Sequence, residues 1–189
     1  MAWFAREGAD DSELHGAASR GSFDEFMRVY RPSDATKTFS GTSLLGLALG
    51  NGDPAARVSI ANTLLDDGAD VTEASPLHVL LAQTAHDFES EPKLLERMLD
   101  LGADVNEVIP KFGAPLETLA EVFKFDDETL APFYDVLFAR PELDLLQEGN
   151  FSKSVFASIQ QISARRGDLL ARATAHLTEH GVPVPDTSA

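Results

Sequence analysis

Leu64-Leu65-Asp66-Asp67-Gly68-Ala69-Asp70-Val71 returns as Met98-Leu99-Asp100-Leu101-Gly102-Ala103-Asp104-Val105, displaced by 34 residues (102 − 68). A helix-ending, turn-forming phrase recurring at that interval marks a chain built from stacked supersecondary units, because one such unit leaves an apolar face that only a neighbour can cover. Surfaces of that kind bind other molecules more often than they react with them. The expected fold is therefore all-α, with helix-turn-helix hairpins piled side by side.

The bulk properties agree with one folded domain. The chain has 189 residues and 43% hydrophobic content, enough for a substantial core. Cysteine is absent, which removes disulfides, thiolate metal sites and cysteine nucleophiles together. Trp3-Phe4 is followed at once by Arg6, Glu7 and Asp10, so no apolar run there has the length of a signal peptide or membrane span, and a cytoplasmic location is expected. The formal charge is −16, from 31 acidic and 15 basic residues. That balance disfavours nucleic acid and anionic membranes as partners. It either keeps an extended surface soluble or complements a basic partner.

The units can be followed along the chain. The first carries Leu14-His15-Gly16-Ala17-Ala18-Ser19-Arg20-Gly21, then Phe23, Phe26, Met27 and Tyr30 at the spacing of a buried helical face. The second opens at Gly41-Thr42-Ser43-Leu44, breaks at Gly50-Asn51-Gly52 and restarts at Asp53-Pro54, where an aspartate can cap free amides and proline suits the first turn. Val58, Ala61, Leu64 and Leu65 then face inward. A third runs from Ser75-Pro76-Leu77-His78, restarts near Ser90-Glu91-Pro92 and closes at Gly102-Ala103-Asp104. Ser75-Pro76-Leu77-His78 together with Gly102-Ala103-Asp104-Val105-Asn106 resembles the ankyrin-repeat signature, Thr-Pro-Leu-His and Gly-Ala-Asp-Val-Asn. A fourth copy, Gly113-Ala114-Pro115-Leu116 to Pro141-Glu142-Leu143-Asp144-Leu145, is weaker. A fifth, Ser154-Val155-Phe156-Ala157 to Gly181-Val182, is degenerate.

The resemblance implies an ankyrin-repeat solenoid with short finger loops. Its organisation would be an N-terminal segment (1–11), one repeat domain (12–185) and a C-terminal tail (186–189). The approximate repeats are 12–40, 41–72, 73–106, 113–145 and 151–183, and the drifted terminal copies suit capping of the stack. The chain also departs from the family. Leu44 to Gly68 spans 24 residues (68 − 44) and Leu77 to Gly102 spans 25 (102 − 77), whereas the family closes that stretch in about 19. The excess must lengthen helices or loops. One insertion, His86-Asp87-Phe88-Glu89-Ser90-Glu91, is acidic with a single aromatic. The finger from Asp70 to Ser75 is short, while that from Asp104 to Ala114 has full length.

Catalytic motifs were weighed against structural readings. His176-Leu177-Thr178-Glu179-His180 places two histidines on one helical face, as in inverted zinc peptidases, and is the basis of an alternative zinc-hydrolase reading. A third ligand is wanted, yet nine residues follow His180 (189 − 180), and solvated surface histidines are the expectation. His15 and His78 occupy the signature histidine position, where the resemblance implies a hydrogen bond to turn backbone. Gly46, Gly50 and Gly52 match neither dinucleotide nor phosphate-loop spacing and are read as packing and turn residues. Ser43 lacks the closing glycine of a nucleophile elbow and is read as a helix starter. Asp126-Asp127-Glu128 is read as helix capping. Asp66-Asp67 at a helix C-terminus is mildly unfavourable, and a basic partner would compensate it.

These readings converge on a non-enzymatic, monomeric interaction scaffold with no cofactor and no metal, holding a protein partner on its concave face and fingers. The candidate contact residues are Glu73, Glu107, Lys111 and Phe112 on fingers, Gln83, Glu121 and Lys124 near first helices, and Asp66 and Asp67. Phe112 is the expected anchor. The alternative is an acidic inhibitor or immunity (antitoxin-type) protein neutralising a basic enzyme, motivated by the net charge and by Asp66, Asp67, Asp70 and Glu73 in one short span.

Overall fold

The computed structural model describes residues 10–185. The Trp3-Phe4 reading, most of the 1–11 segment and the 186–189 tail lie outside the described residues. The described chain is mostly helical. Its elements are α1 (Asp11–Arg20), α2 (Phe23–Val29), β1 (Thr38–Phe39), β2 (Thr42–Ser43), α3 (Leu44–Leu49), α4 (Pro54–Asp66), α5 (Pro76–Leu81), α6 (Glu91–Asp100), α7 (Pro115–Ala120), α8 (Asp127–Phe138), α9 (Val155–Gln161) and α10 (Gly167–Glu179). Two short 3-10 turns, Pro32–Asp34 and Asn150–Ser152, interrupt the loops. Contacts divide the chain into two compact units, between Pro76 and Leu77.

Helix starts follow local chemistry. Ser22 and Glu25 form a reciprocal capping box at α2, Ser43 Oγ accepts from the Gly46 amide at 3.0 Å, and Asp53 accepts from Ala55 and Ala56 with Pro54 in the first turn of α4. Asp126 caps α8 through the Thr129 amide at 2.9 Å. Each of these caps satisfies amides that a helix start leaves without intrahelical partners.

The Gly-Ala phrase has one backbone geometry at both of its copies, and Gly181-Val182 shares it. Gly68, Gly102 and Gly181 have φ of +88°, +104° and +68°. The following amide reaches back to the helix: Ala69 to Leu64 O at 2.9 Å, Ala103 to Met98 O at 3.0 Å and Val182 to Leu177 O at 2.8 Å. This is a Schellman stop, in which a left-handed residue lets orphan carbonyls find donors. Val71 and Val105, just beyond the turns, are buried.

In the first unit α1 packs on α2 and α3, and α4 packs on α2 and α3. A buried polar staple joins the two hairpins. Asn51 Nδ2 donates to Ala18 O (3.1 Å) and Gly21 O (2.9 Å). The fully buried Arg57 donates through Nε and Nη2 to Asn51 O at 2.9 and 2.7 Å. The β1–β2 hairpin pairs Thr38 with Ser43 and Phe39 with Thr42. In the second unit α8 lies against α6 and α10, and α9 lies against α7 and α10.

Two inward-facing expectations shift along their helices. Phe26 and Tyr30 are buried but Met27 is exposed, and Ile60 rather than Val58 is fully buried. The acidic insertion lengthens the loop before α6, and part of it is buried. His86 and Glu91 have fully buried side chains, with His86 Nδ1 donating to Glu91 Oε2 at 2.5 Å. The imidazole sits among Phe88, Phe125 and Phe133 at ring separations of 5.6, 5.6 and 5.0 Å. His86 and Glu91 thus fold inward while Glu89 stays exposed, because an aromatic cluster removes more apolar surface from water than a free loop would.

Gly102→Ala is expected to lower unfolding free energy in urea titration by about 1 kcal/mol, since a Cβ disfavours the left-handed region. Gly52→Ala, at an exposed turn with no atoms near the added Cβ, is expected to change it by less than about 0.5 kcal/mol.

Candidate functional site

Two finger loops in the second unit are locked to one buried carboxylate. Ile109 and Gly113 exchange backbone hydrogen bonds at 3.0 Å each, closing the first finger. Gly149 N donates to Lys153 O at 2.7 Å, closing the second. Glu117, in the first turn of α7 and only 3% exposed, accepts from Ala114 N at 2.8 Å and from Asn150 N at 3.1 Å. Asn150 carries the tie onward, its Nδ2 donating to Lys111 O and its Oδ1 accepting from Phe151 N, both at 3.0 Å. His78 Nε2 donates to Gly113 O at 3.0 Å, in keeping with the backbone role implied for the signature histidine. A Cβ on Gly113 or Gly149 would run into the Glu117 carboxylate.

This frame turns aromatic side chains outward. Phe112 is 47% exposed and Phe151 79% exposed. Phe151, with φ of +54°, and its neighbour Ser152, with +55°, occupy the left-handed region, which costs a residue with a Cβ roughly 1 kcal/mol. The far end of α7 is held by Arg166, itself 1% exposed. Its guanidinium donates to the carbonyls of Ala120, Phe125 and Val122 at 2.7, 2.9 and 2.9 Å. It lies 3.4 Å from Asp127 Oδ1. Asp127 also accepts from Tyr134 Oη at 3.0 Å and from Asp168 N at 2.9 Å, capping α10. Phe123 is 45% exposed, with the Arg165 and Arg166 guanidinium groups 5.1 and 5.5 Å from its ring centre.

The electrostatics follow burial. Desolvation pushes the His78 pKa down, against weaker opposing pulls from the hydrogen bond to Gly113 O and then from Glu107, whose Oε2 lies 3.8 Å from Nδ1. Partial burial, then the neighbouring Glu117 charge, push Glu121 up. Burial raises the Tyr134 hydroxyl, with Arg166 opposing and Asp127 adding to the rise.

The structure brings some of the expected contact residues together. Phe112, Glu121 and Lys124 line one depression of about 310 Å³, and Lys111 stands beside Phe112 at the finger tip. Gln83 is not part of that lining, although its neighbours Ala82 and Thr84 are, and its amide donates to Val79 O on α5. Glu107 faces His78. Asp66, Asp67 and Glu73 belong to the first unit and are exposed, and Asp67 Oδ2 accepts from Tyr30 Oη at 2.8 Å, so its misplacement at a helix end has an internal remedy. His176 is buried rather than solvated, because its Nε2 donates to Leu143 O at 3.3 Å. His180 is exposed, its Nδ1 donating to His176 O at 2.8 Å. Among the described residues no three His, Cys, Asp or Glu side chains gather as a metal group. Sequence reasoning missed Glu117, Phe123, Asn150, Phe151 and Arg166. The turn pair Gly149-Asn150 was the available signal for the second finger.

No protein-family description matches this chain, and no curated protein does. Its fold is similar to the crystal structure of a functionally unknown protein from Leptotrichia buccalis C-1013-b, with a TM-score of 0.72 at 17% identity, covering 92% of this chain and 97% of the other. At that identity the likeness describes fold alone.

Glu117→Ala is expected to cost about 3 kcal/mol in chemical denaturation, since it strands two buried amides, while Glu117→Gln retains an acceptor and costs less. The folded-state pKa of His78 lies below its unfolded value, so its contribution to stability is present above about pH 6.5 and is lost as pH falls through the folded value. Urea titrations from pH 7.5 downward should show a smaller acid loss for His78→Gln than for the wild type.

Proposed function

We propose that this chain is a non-enzymatic binding protein of ankyrin-repeat type, which captures a protein partner on finger loops and first helices. The observation that carries the reading is the pair of finger tips pinned to Glu117, each presenting an exposed phenylalanine. Rigid loops lose little conformational freedom on binding, and exposed aromatics on them are the side chains that most often dominate interface energy. The Schellman stops at a 34-residue interval and the packing of helix pairs within each unit are compatible with the ankyrin assignment. We further infer a cytoplasmic protein. No helix among the described residues is long and apolar enough to cross a membrane.

The acidic-inhibitor alternative draws on the charge of −16 and on exposed Asp66 and Glu73. It draws less from Asp67 and Asp70, whose carboxylates bond to Tyr30 and Thr72 within the chain. Zinc hydrolysis through His176 and His180 has little support, given the backbone bonds of both rings.

Affinity capture from the native cell, with Phe112→Ala beside the wild type, tests the main reading. Partner recovery should fall while the melting temperature stays within about 2 °C. Undiminished recovery together with a large drop in melting temperature would make Phe112 a core residue.

A further inference from the structure

We propose that the surface formed by Phe112, Phe123 and Phe151 with Lys111, Lys124, Lys153 and Arg165 is a docking groove for an acidic peptide segment carrying large apolar side chains. The inference rests on the reading of the chain as a binding protein, and gives the partner a chemistry opposite to the one that net charge suggests.

Two adjoining depressions make up the groove. Phe112, Val122, Phe123 and Lys124 line the first. Phe151, Lys153, Ile159 and Ile162 line the second, and Glu121 borders both. Asn150, which bridges to Lys111 O, ties the two finger tips into one wall. The three phenylalanines are each between 45% and 79% exposed. Exposed aromatics lining adjoining depressions on a rigid surface mark an interaction site. Phe151 strengthens the argument, because it is the most exposed of them and is held in a disfavoured backbone conformation. Core packing does not account for that placement.

Charge selects the occupant. Elsewhere in the structure Lys37, Lys93, Arg140, Arg166 and Arg172 each find a carboxylate. Lys111, Lys124, Lys153 and Arg165 form no ion pair among the described residues, in a chain with 31 acidic side chains. The Lys124 ammonium rests on Thr84 O at 2.5 Å and 5.3 Å from the Phe125 ring centre, and Arg165 lies on Phe123. Of the carboxylates lining the depressions, Glu117 is consumed by backbone amides and only Glu121 faces the groove. Each depression thus holds one lysine without an ion pair among the described residues, Lys124 in the first and Lys153 in the second, with Glu121 shared between them, which asks for an acid in each part of the ligand and apolar side chains against the phenylalanines. Glu121, whose pKa is raised by burial, repels an acid placed centrally.

The test is selection of a displayed random library of peptides about twelve residues long on the full chain, followed by fluorescence anisotropy with one synthesised winner. Enriched peptides should carry net negative charge and at least two large apolar residues. Phe151→Ser and the double variant Lys153→Glu/Arg165→Glu should each weaken that peptide about tenfold or more, and Glu121→Gln should tighten it. Circular dichroism melts keep the comparison to folded protein. Basic or neutral winners, no enrichment, or binding indifferent to these variants would overturn the proposal. Self-association in sedimentation that the same variants abolish would also overturn it and give the groove to a second copy. If the variants still capture a native partner from cells, the groove proposal fails while the general binding function stands. If wild-type protein captures nothing, that function fails.

Discussion

The Glu117 carboxylate is the constraint on which the exposed surface of the second unit depends. A carboxylate removed from water is costly unless its lone pairs are occupied, and here amides from two separate fingers occupy them. The requirement acts in both directions. The fingers hold their shape because the charge needs donors, and the charge is tolerable because both fingers supply them. Gly113 and Gly149 belong to the same arrangement, since any side chain there would fill the space that the carboxylate occupies.

Arg166 plays a corresponding part at the other end of α7. A six-residue helix leaves most of its C-terminal carbonyls without intrahelical partners. The planar guanidinium collects carbonyls at and beyond that end, and Asp127 balances its charge while capping α10. Arg57 and Asn51 do related work in the first unit. Short helices are thus stabilised by side chains arriving from later in the chain, more than by their own propensity.

Much of the local structure was legible. Asp53-Pro54, Ser43 and Asp126 start helices as their chemistry requires, and the Gly-Ala turns stop them where the phrase recurs. These are interactions within a few residues of one another. The candidate site was legible in part: Phe112, Glu121 and Lys124 share one depression, while Asp66, Asp67 and Glu73 lie in the other unit. Phe151 escaped notice because its exposure is set by Asn150 and Glu117, the latter 34 residues (151 − 117) earlier in the chain. The insertion at His86–Glu91 reads only as acidic with a single aromatic, and it is Phe125 and Phe133 that enclose its histidine.

The sequence by itself determined where several helices begin and end, that one helix-stopping turn recurs, and that the chain carries a large negative charge. Those properties depend on nearest neighbours, on periodicity and on counting. Only the tertiary structure decided which histidines and carboxylates are buried, which phenylalanines remain outside, and which cations form no ion pair among the described residues of an acidic protein. Burial and pairing depend on what the rest of the chain brings to each side chain, and that is a property of distances in space.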